Sequence, residues 1–389
     1  MDPFVVLITV LVLLALLLGT GVWVGLSLFA VAITSLALFR SMPVDKLLAQ
    51  LTYNTVTTPE MIALPMFILM AEILFHTRLS ASLFRGLSPW TNRLPGKMVH
   101  VNVLGCTLFA AISGSSAATA TTVGRITLSE LFSRGYNKDL VIGSLAGAGT
   151  LGFLIPPSII LIIYGVLSET SILKLFIAGI VPGLILALGF MGYLAIRATL
   201  NPSLIPSEDI NPTWRDRLNG LVDLGPVVFL ILLVLGSMFA LIVAGAVFLS
   251  VAMGFLGVPR LIAGEIAALG LSPLALILLL LVFYAILGCV LDGLSAIVMT
   301  LPITLPLIIS AGFEKIWFGV FVVIVVEMAQ ITPPVGFNLF VIQGLTGETI
   351  GRVARAALPF FIIMFIMAMF IALVPDIVMF LPNTIKLKG

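Results

Sequence analysis

Residues 111–122 read AISGSSAATATT, and Ser113, Ser115, Ser116 and Thr119 place four hydroxyl oxygens within a few positions of one another. Neutral oxygens of this kind are hard ligands, suited to a hard cation such as Na⁺. A second stretch, DGLSA at 292–296, supplies a carboxylate at Asp292 with Ser295 close behind it. Two proline pairs, Pro156–Pro157 and Pro333–Pro334, follow these stretches. Adjacent prolines remove two N–H donors and free upstream carbonyls, so each pair is expected to break a helix. Broken-helix ends present N–H groups to an anion and carbonyls to a cation. The chemistry this set implies is reversible ion and solute binding, not bond cleavage.

The surrounding chain is oily. Of 389 residues, 61% are apolar and 9% are charged, against about 25% charged in a soluble domain. Runs of roughly 20 apolar residues recur, each long enough to cross a bilayer, and they are too unbroken for alternating β-barrel strands. The composition therefore predicts an all-α polytopic membrane protein. The net charge of +2 says little about partners, and nothing suggests nucleic acid. The two cysteines, Cys106 and Cys289, lie in apolar segments and are expected to be buried thiols. The run 4–18 lacks a basic leader and reads as a mature span.

The elements that must position the oxygens can be taken in order. Residues 4–18, 22–39 and 61–75 are three spans. Residues 78–93 place Leu79, Leu83, Leu87 and Trp90 on one helical face, the pattern of an interfacial helix, with Pro89 expected to end or bend it. Between Ile73 and Ser129 there is no acidic residue, but there are Arg78, Arg85, Arg93, Lys97 and Arg125, which places this side in the cytoplasm. The segment 99–131 is interrupted at its centre by AISGSSAATATT and carries basic residues at both ends. It reads as a re-entrant hairpin with its tip at membrane depth, where irregular backbone needs protein or a water-filled cavity around it. Segment 140–167 is a span broken by Gly147, Gly149, Gly152 and the first proline pair, and 172–196 crosses back. The apolar run 224–258 is too long for one crossing, and only Gly236-Ser237 offers a turn. Segment 275–309 is a second hairpin, 317–343 a second broken span, and 356–381 the last crossing.

The second half repeats the first. Ser113, Gly114, Ser116 and Ala117 align with Asp292, Gly293, Ser295 and Ala296; Pro156–Pro157 aligns with Pro333–Pro334; Gly165, Glu169 and Thr170 align with Gly344, Glu348 and Thr349; and Pro182 aligns with Pro359. Hairpin tip plus broken helix, occurring twice, predicts inverted repeats and a secondary transporter. The parts divide as 1–97, N-terminal spans and interfacial arm; 98–199, first repeat; 200–272, a scaffold region; and 273–389, second repeat. Asp292 is a functional-site candidate because a carboxylate at membrane depth is costly, although it could instead cap a helix. The Ser/Thr cluster could instead serve close helix packing, and the proline pairs could be plain kinks. Asn338 offers both an amide donor and an oxygen. Arg125 could pair a substrate carboxylate, snorkel, or pair with Glu130. An intramembrane enzyme needs a catalytic pair, and the chain has no HExxH and only His76 and His100. A passive channel would need a continuous polar stripe.

On the motifs SGSSAATATTVG (113–124), GTLGFLIPPS (149–158), LDGLSA (291–296) and ITPPVGFNLFVIQG (331–344), the chain resembles the large membrane subunit of the tripartite ATP-independent periplasmic (TRAP) transporters. The resemblance implies an elevator-type, Na⁺-coupled carrier in the cytoplasmic membrane of a bacterium or archaeon. It also implies a small four-helix membrane partner and a periplasmic substrate-binding protein that delivers an organic acid. No cofactor is implied beyond Na⁺ as the coupling ion. The implied cation sites fall on Ser113, Gly114, Ser115, Ser116 and Thr119 with Gly149, Thr150 and Pro156, and on Asp292 and Ser295 with Thr332, Pro334, Gly336 and Asn338. The implied substrate position lies between the tips, near Ser116, Arg125, Asp292 and Asn338. A stand-alone Na⁺-coupled dicarboxylate or citrate carrier of similar architecture is the alternative. One departure stands out. Inverted topology requires a further crossing near Met238, where the family has an extra helix and a second interfacial arm, so ~20 residues of span plus an arm are expected to be missing from 200–272.

Overall fold

The computed structural model describes residues 86–206, 213–225 apart from 223, and 272–384 apart from 290, 334 and 335, with isolated residues before position 39. The chain divides into two units, Met1–Ile62 and Ala63–Gly389, and the helices named here belong to the second. The expected spans at 4–18 and 22–39 apart from those isolated residues, the span at 61–75, residues 78–85 of the expected interfacial helix, almost all of the run 224–258, the missing crossing near Met238 and Pro334 lie outside the described residues. The described residues are helical, with no strand among them.

Among the described residues the architecture is carried by the helices α1 (His100–Ser113), α2 (Ser116–Ser133), α3 (Lys138–Gly149), α4 (Ile159–Ser168), α5 (Ile172–Leu200), α6 (Pro273–Gly288), α7 (Gly293–Ser310), α8 (Lys315–Gln330), α9 (Phe337–Thr346), α10 (Ile350–Leu373) and α11 (Asp376–Thr384). The order is helix pair, broken helix, long helix, and then the same again. The pairs are α1–α2 and α6–α7. The broken helices are α3–α4, joined through a 3₁₀ turn at Thr150–Phe153, and α8–α9. The long helices α5 and α10 each carry an internal proline, Pro182 and Pro359. Those two are, among the described residues, the helices long and apolar enough to cross a membrane alone. Helix α7 bends by 63° between Leu301 and Thr304, around Pro302, whose missing N–H interrupts the hydrogen-bond ladder.

The residues expected to form the first hairpin are the helix pair α1–α2, and the irregular part between them is much shorter than a dozen residues. Only Gly114 and Ser115 leave the helix. The hydroxyls around them need no loop. Thr121 donates back to Ala117 O at 2.7 Å, a bond that lets threonine sit inside a helix. Ser115 caps α2 by accepting from Ala118 N. Gly114 ends α1 at φ 56°, a left-handed conformation that glycine adopts without steric cost.

Gly147 and Gly149, expected as helix breakers, are helical. Gly147 serves packing instead. A side chain there would run into the ring of Phe360, and one at Gly143 would run into the carbonyl of Ala356, both on α10. The i, i+4 glycines thus let two helices approach backbone to backbone, which is how helices associate where lipid removes the hydrophobic drive. Gly86 and Gly220 do the same for the helical residues 86–91 and 214–222: a Cβ on Gly220 would lie 2.7 Å from Gly86 O. Residue 89 falls within the first of these, which runs on to Thr91, so Pro89 does not end it.

Helix α8 is the axis of the unit. Every residue from Ile316 to Gln330 is buried, as expected of a helix apolar on all sides. Its neighbours include α4, α5, α6, α7 and α10. Polar ties fix it at one end: Trp317 Nε1 donates to Ile371 O at 2.9 Å, Tyr164 Oη donates to Lys315 O at 2.6 Å, and Lys315 Nζ donates to Ser168 O at 3.0 Å. Within the second pair, Tyr284 Oη lies 2.7 Å from Thr300 Oγ1 and 2.8 Å from Thr304 Oγ1. Cys106 and Cys289 are both free and buried.

Candidate functional site

The first tip is built from small residues because another backbone lies directly on it. A side chain on Gly152 would stand 2.7 Å from the carbonyl and Cα atoms of Ser115 and Ser116, and one on Gly114 would stand 3.0 Å from Pro157 O. Ile159 N donates to Gly114 O at 3.3 Å, so the first tip closes onto the first break. Ser158 completes the closure by donating to Phe153 O at 2.6 Å and capping α4. Inside this contact Ser113 Oγ lies 2.7 Å from Thr119 Oγ1 and 3.3 Å from Ser115 O. Ser113, Ser116, Thr119, Thr150 and Pro156 are buried. Gly149 packs against Ala120, a Cβ there reaching 2.9 Å from Ala120 Cβ. Thr150 Oγ1 donates to Gly147 O at 2.6 Å and points towards Met364 Sδ at 3.4 Å. Of the first expected group, Ser113 and Thr119 share a side-chain hydrogen bond, while Thr150 bonds within its own turn and towards Met364.

The second tip follows the same plan with different residues. Gly336 N donates to Cys289 O at 3.1 Å, and Gln330 Nε2 donates to Leu291 O at 3.0 Å and Gly288 O at 3.3 Å. Thr332 Oγ1 donates back to Met328 O at 2.9 Å. Gly336 takes φ 56° at the start of α9. Asp292 caps α7, its carboxylate accepting from Ser295 N at 3.1 Å, and it is exposed. The helix-cap alternative for Asp292 is thus the geometry observed, with one carboxylate face left open. Asn338 is buried, and neither its oxygen nor its nitrogen has a hydrogen-bond partner.

The two groups are joined crosswise. Ser116 Oγ, at the first tip, donates to Glu327 Oε2 of α8 at 2.6 Å. Gly293, at the second tip, faces Val326 of α8 and Ile160 of α4, at 3.0 and 3.2 Å from an added Cβ. Each tip therefore touches the broken helix of the other set. Helix α9, which carries Asn338, packs on α2. Arg125 stands apart: it is exposed on α2, nine residues beyond Ser116 and so ~13 Å further along the axis. Its suggested partner Glu130 is engaged by Arg134 at 2.6 Å.

Sequence reasoning missed Glu327 and Gln330. The signal for Glu327 was there: it is the sole acidic residue between Glu314 and Glu348, and an ionisable side chain inside an apolar span is a functional candidate by default.

The profile of the family described as "Tripartite ATP-independent periplasmic transporter, DctM component" matches residues 11–241 and 233–377. The C4-dicarboxylate TRAP transporter large permease protein DctM of Pseudomonas aeruginosa is 30% identical over 367 residues, spanning 83% of this chain and 86% of that protein. The sialic acid TRAP transporter large permease protein SiaM of Vibrio cholerae is 26% identical over 411 residues, 94% of this chain and 96% of that protein. The isethionate TRAP transporter permease protein DctMQ of Oleidesulfovibrio alaskensis is 30% identical over 411 residues, 94% of this chain and 65% of that longer protein. A helical unit with two tips closed on two broken helices, carrying this family's profile over most of its length, is a membrane protein belonging to the large permease (DctM) component family of the TRAP transporters.

Proposed function

We propose that the chain is the translocating subunit of a Na⁺-coupled secondary transporter of the cytoplasmic membrane. It imports an organic acid handed over by a periplasmic binding protein and works beside a small membrane subunit. The observation that carries this reading is the crosswise contact of tips and breaks, which gathers hydroxyls, free helix ends and a buried amide into the interior of one helical unit. Discontinuous helices meeting near the midplane are the usual way a carrier makes an ion and solute site. The two sets would be inverted repeats, and the unit formed by α1–α4 and α6–α9 would move as one body in an elevator cycle.

The relatives' names cover C4-dicarboxylate, sialic acid, isethionate and ectoine, so they support small organic solutes as the class without selecting one. The relative named DctMQ extends well beyond the match, which supports a second membrane component acting with this one. The family profile matches in two pieces that overlap at 233–241. The alignment to SiaM also runs over 411 positions, more than the 389 residues this chain has. The overlap supports the reading that family sequence is missing near Met238, and the alignment length supports that some residues of the relative have no counterpart in this chain.

The test is solute uptake into proteoliposomes holding this chain and its small partner under an imposed Na⁺ gradient, with and without the cognate binding protein. Uptake that needs both Na⁺ and the binding protein supports the reading. Na⁺-driven uptake without the binding protein replaces it with a stand-alone carrier. No uptake, from a complex of verified mass, points to the missing crossing.

A further inference from the structure

The end of α6 at Gly288 leaves carbonyls with no helical partner ahead of them. Ala285 O and Leu287 O are still taken by Cys289 N and Leu291 N. The next three acceptors find their donors on the second break. Cys289 O accepts from Gly336 N at 3.1 Å, and Gly288 O and Leu291 O both accept from Gln330 Nε2, at 3.3 and 3.0 Å. Gln330 is the buried last residue of α8. Only the nitrogen of its amide can donate, so the two carbonyls fix which way round the amide lies. The tip also sits directly on this last turn of α8: a Cβ on Gly288 would lie 2.7 Å from Ala329 Cβ, and one on Gly293 would lie 3.0 Å from Val326 Cγ1. The first tip is held differently. Gln330 stands three residues before its proline pair, and the residue at that position in the first set is Phe153, which has no side-chain donor. There the hold is backbone on backbone, through Ile159 N to Gly114 O and the close approach of Gly152 to Ser115.

We propose that Gln330 is a positioning residue for the second hairpin tip. Its amide pins Gly288 and Leu291 to the last turn of α8 and so sets where Asp292, the residue after Leu291, presents its open carboxylate face. Gln330 acts through the tip and not on the solute. Without its donor, two carbonyls lose their partners and the bond from Gly336 N to Cys289 O is left to hold the tip. A tip held by one side chain is released by rotation about side-chain torsions, whereas release of the first tip requires the main chain to move. The second tip is therefore the one that loosens first, and residue 330 sets how readily it does so. The consequence for uptake rests on the transporter reading above; the hold on the tip does not.

The chain carries its own probe. Cys289 lies between the two pinned carbonyls, Cys106 lies in α1, and both are free and buried. The test follows the reaction of each thiol with N-ethylmaleimide by mass spectrometry, in the complete complex, for the unmodified chain and for Q330M, which keeps the length of the side chain and removes the donor. Cys289 is expected to react ~10-fold faster or more in Q330M, the shift that losing two hydrogen bonds brings, with Cys106 unchanged. In uptake by the same preparations, the half-saturating solute concentration is expected to rise while the maximal rate is kept, because fewer molecules hold the competent tip and excess solute restores them. An unchanged Cys289 rate in a folded Q330M overturns the proposal. Equal acceleration of both cysteines also overturns it, since Gln330 would then serve general packing. Should Q330M fail to fold, Q330N is read in its place: its amide is one methylene too short to reach both carbonyls, and an unshifted Cys289 rate there overturns the proposal. If the unmodified complex takes up no solute, the transporter reading falls, and the thiol rates measured without solute still decide the role of Gln330.

Discussion

The backbone N–H of Gly336 donates to the carbonyl of Cys289 at 3.1 Å. One residue begins α9 after the second break, and the other lies at the second hairpin tip. The first set repeats the relation, with Ile159 donating to Gly114 at 3.3 Å. Breaking a helix leaves backbone N–H and C=O groups without their intrahelical partners. In both sets a backbone N–H just after the break donates to a carbonyl at the facing tip, so tip and break are tied together.

Asp292 separates two roles that one carboxylate can play. As the cap of α7 it is worth about 0.5–2 kcal/mol of stability, the usual loss on replacing a capping aspartate by alanine. Asp292→Asn keeps an oxygen for Ser295 N and removes the charge. The expected outcome is that Asp292→Asn melts within a few degrees of the unmodified protein yet takes up solute poorly at limiting Na⁺, and that Asp292→Ala loses both. Normal uptake by a well-folded Asp292→Asn would leave the residue as a cap alone. Thermal unfolding and uptake on the same preparations make the comparison.

The contact of α3 with α10 rests on an absent side chain. Gly143→Ala pushes a methyl group into the Ala356 carbonyl, a backbone atom that cannot swing aside. Overpacking of this kind costs ~1–3 kcal/mol. Reduced yield and a lower melting temperature in detergent are expected for Gly143→Ala. Gly351→Ala is the control, because nothing stands within 4 Å of a Cβ there. It should be neutral or slightly stabilising, given that alanine exceeds glycine by up to about 1 kcal/mol in helix propensity.

These two cases also mark how far the sequence could be read. The order of hairpins and breaks was legible because proline pairs and glycine-serine tips change backbone chemistry locally, and local rules report that. What Gly143 and Gly147 do was not legible. Their partners Ala356 and Phe360 lie over 200 residues away, and a glycine that packs reads the same as a glycine that breaks. The same holds for the hydroxyls after Ser116, which read as a long irregular tip but bond back to their own helix, as Thr121 does. Glu327 was passed over because the apolar run around it dominated the reading, while Asp292 drew attention by standing in a recognisable turn. The bond from Ser116 to Glu327 joins residues that no local pattern relates.

At the helix ends, Arg352 Nε lies 2.6 Å from Asp139 and its Nη1 lies 3.1 Å from Glu348, while Lys138 reaches Glu348 at 3.3 Å. These four charges join the start of α3 to the start of α10. All are partly exposed, and exposed pairs are screened within ~10 Å at 0.1 M salt. Arg352→Gln is expected to lower the melting temperature slightly at low ionic strength, and the difference should vanish in concentrated salt. The exchange Asp139→Arg with Arg352→Asp should restore part of the loss. A difference that persists undiminished in high salt would mean that Arg352 acts through packing and not through charge.

Asn338 offers the sharpest contrast between stability and function. Its amide is buried with both polar atoms unpartnered, and a buried polar group left in that state costs about 1–3 kcal/mol. Such a cost is retained where the group meets a ligand during the working cycle, because the ligand then supplies the missing bonds. Leucine has a similar volume and no polar atoms. Asn338→Leu is therefore expected to be as stable as the unmodified protein or more stable, by up to the same order, while uptake falls to background. Asn338→Ala should also lose uptake, but it leaves a cavity where the buried amide stood, and cavities destabilise by an amount that depends on how well the site collapses. Melting temperatures ordered Leu above Asn above Ala, with uptake present only for Asn, would place Asn338 among the groups that contact the transported species. Full uptake by Asn338→Leu would make the amide incidental to transport.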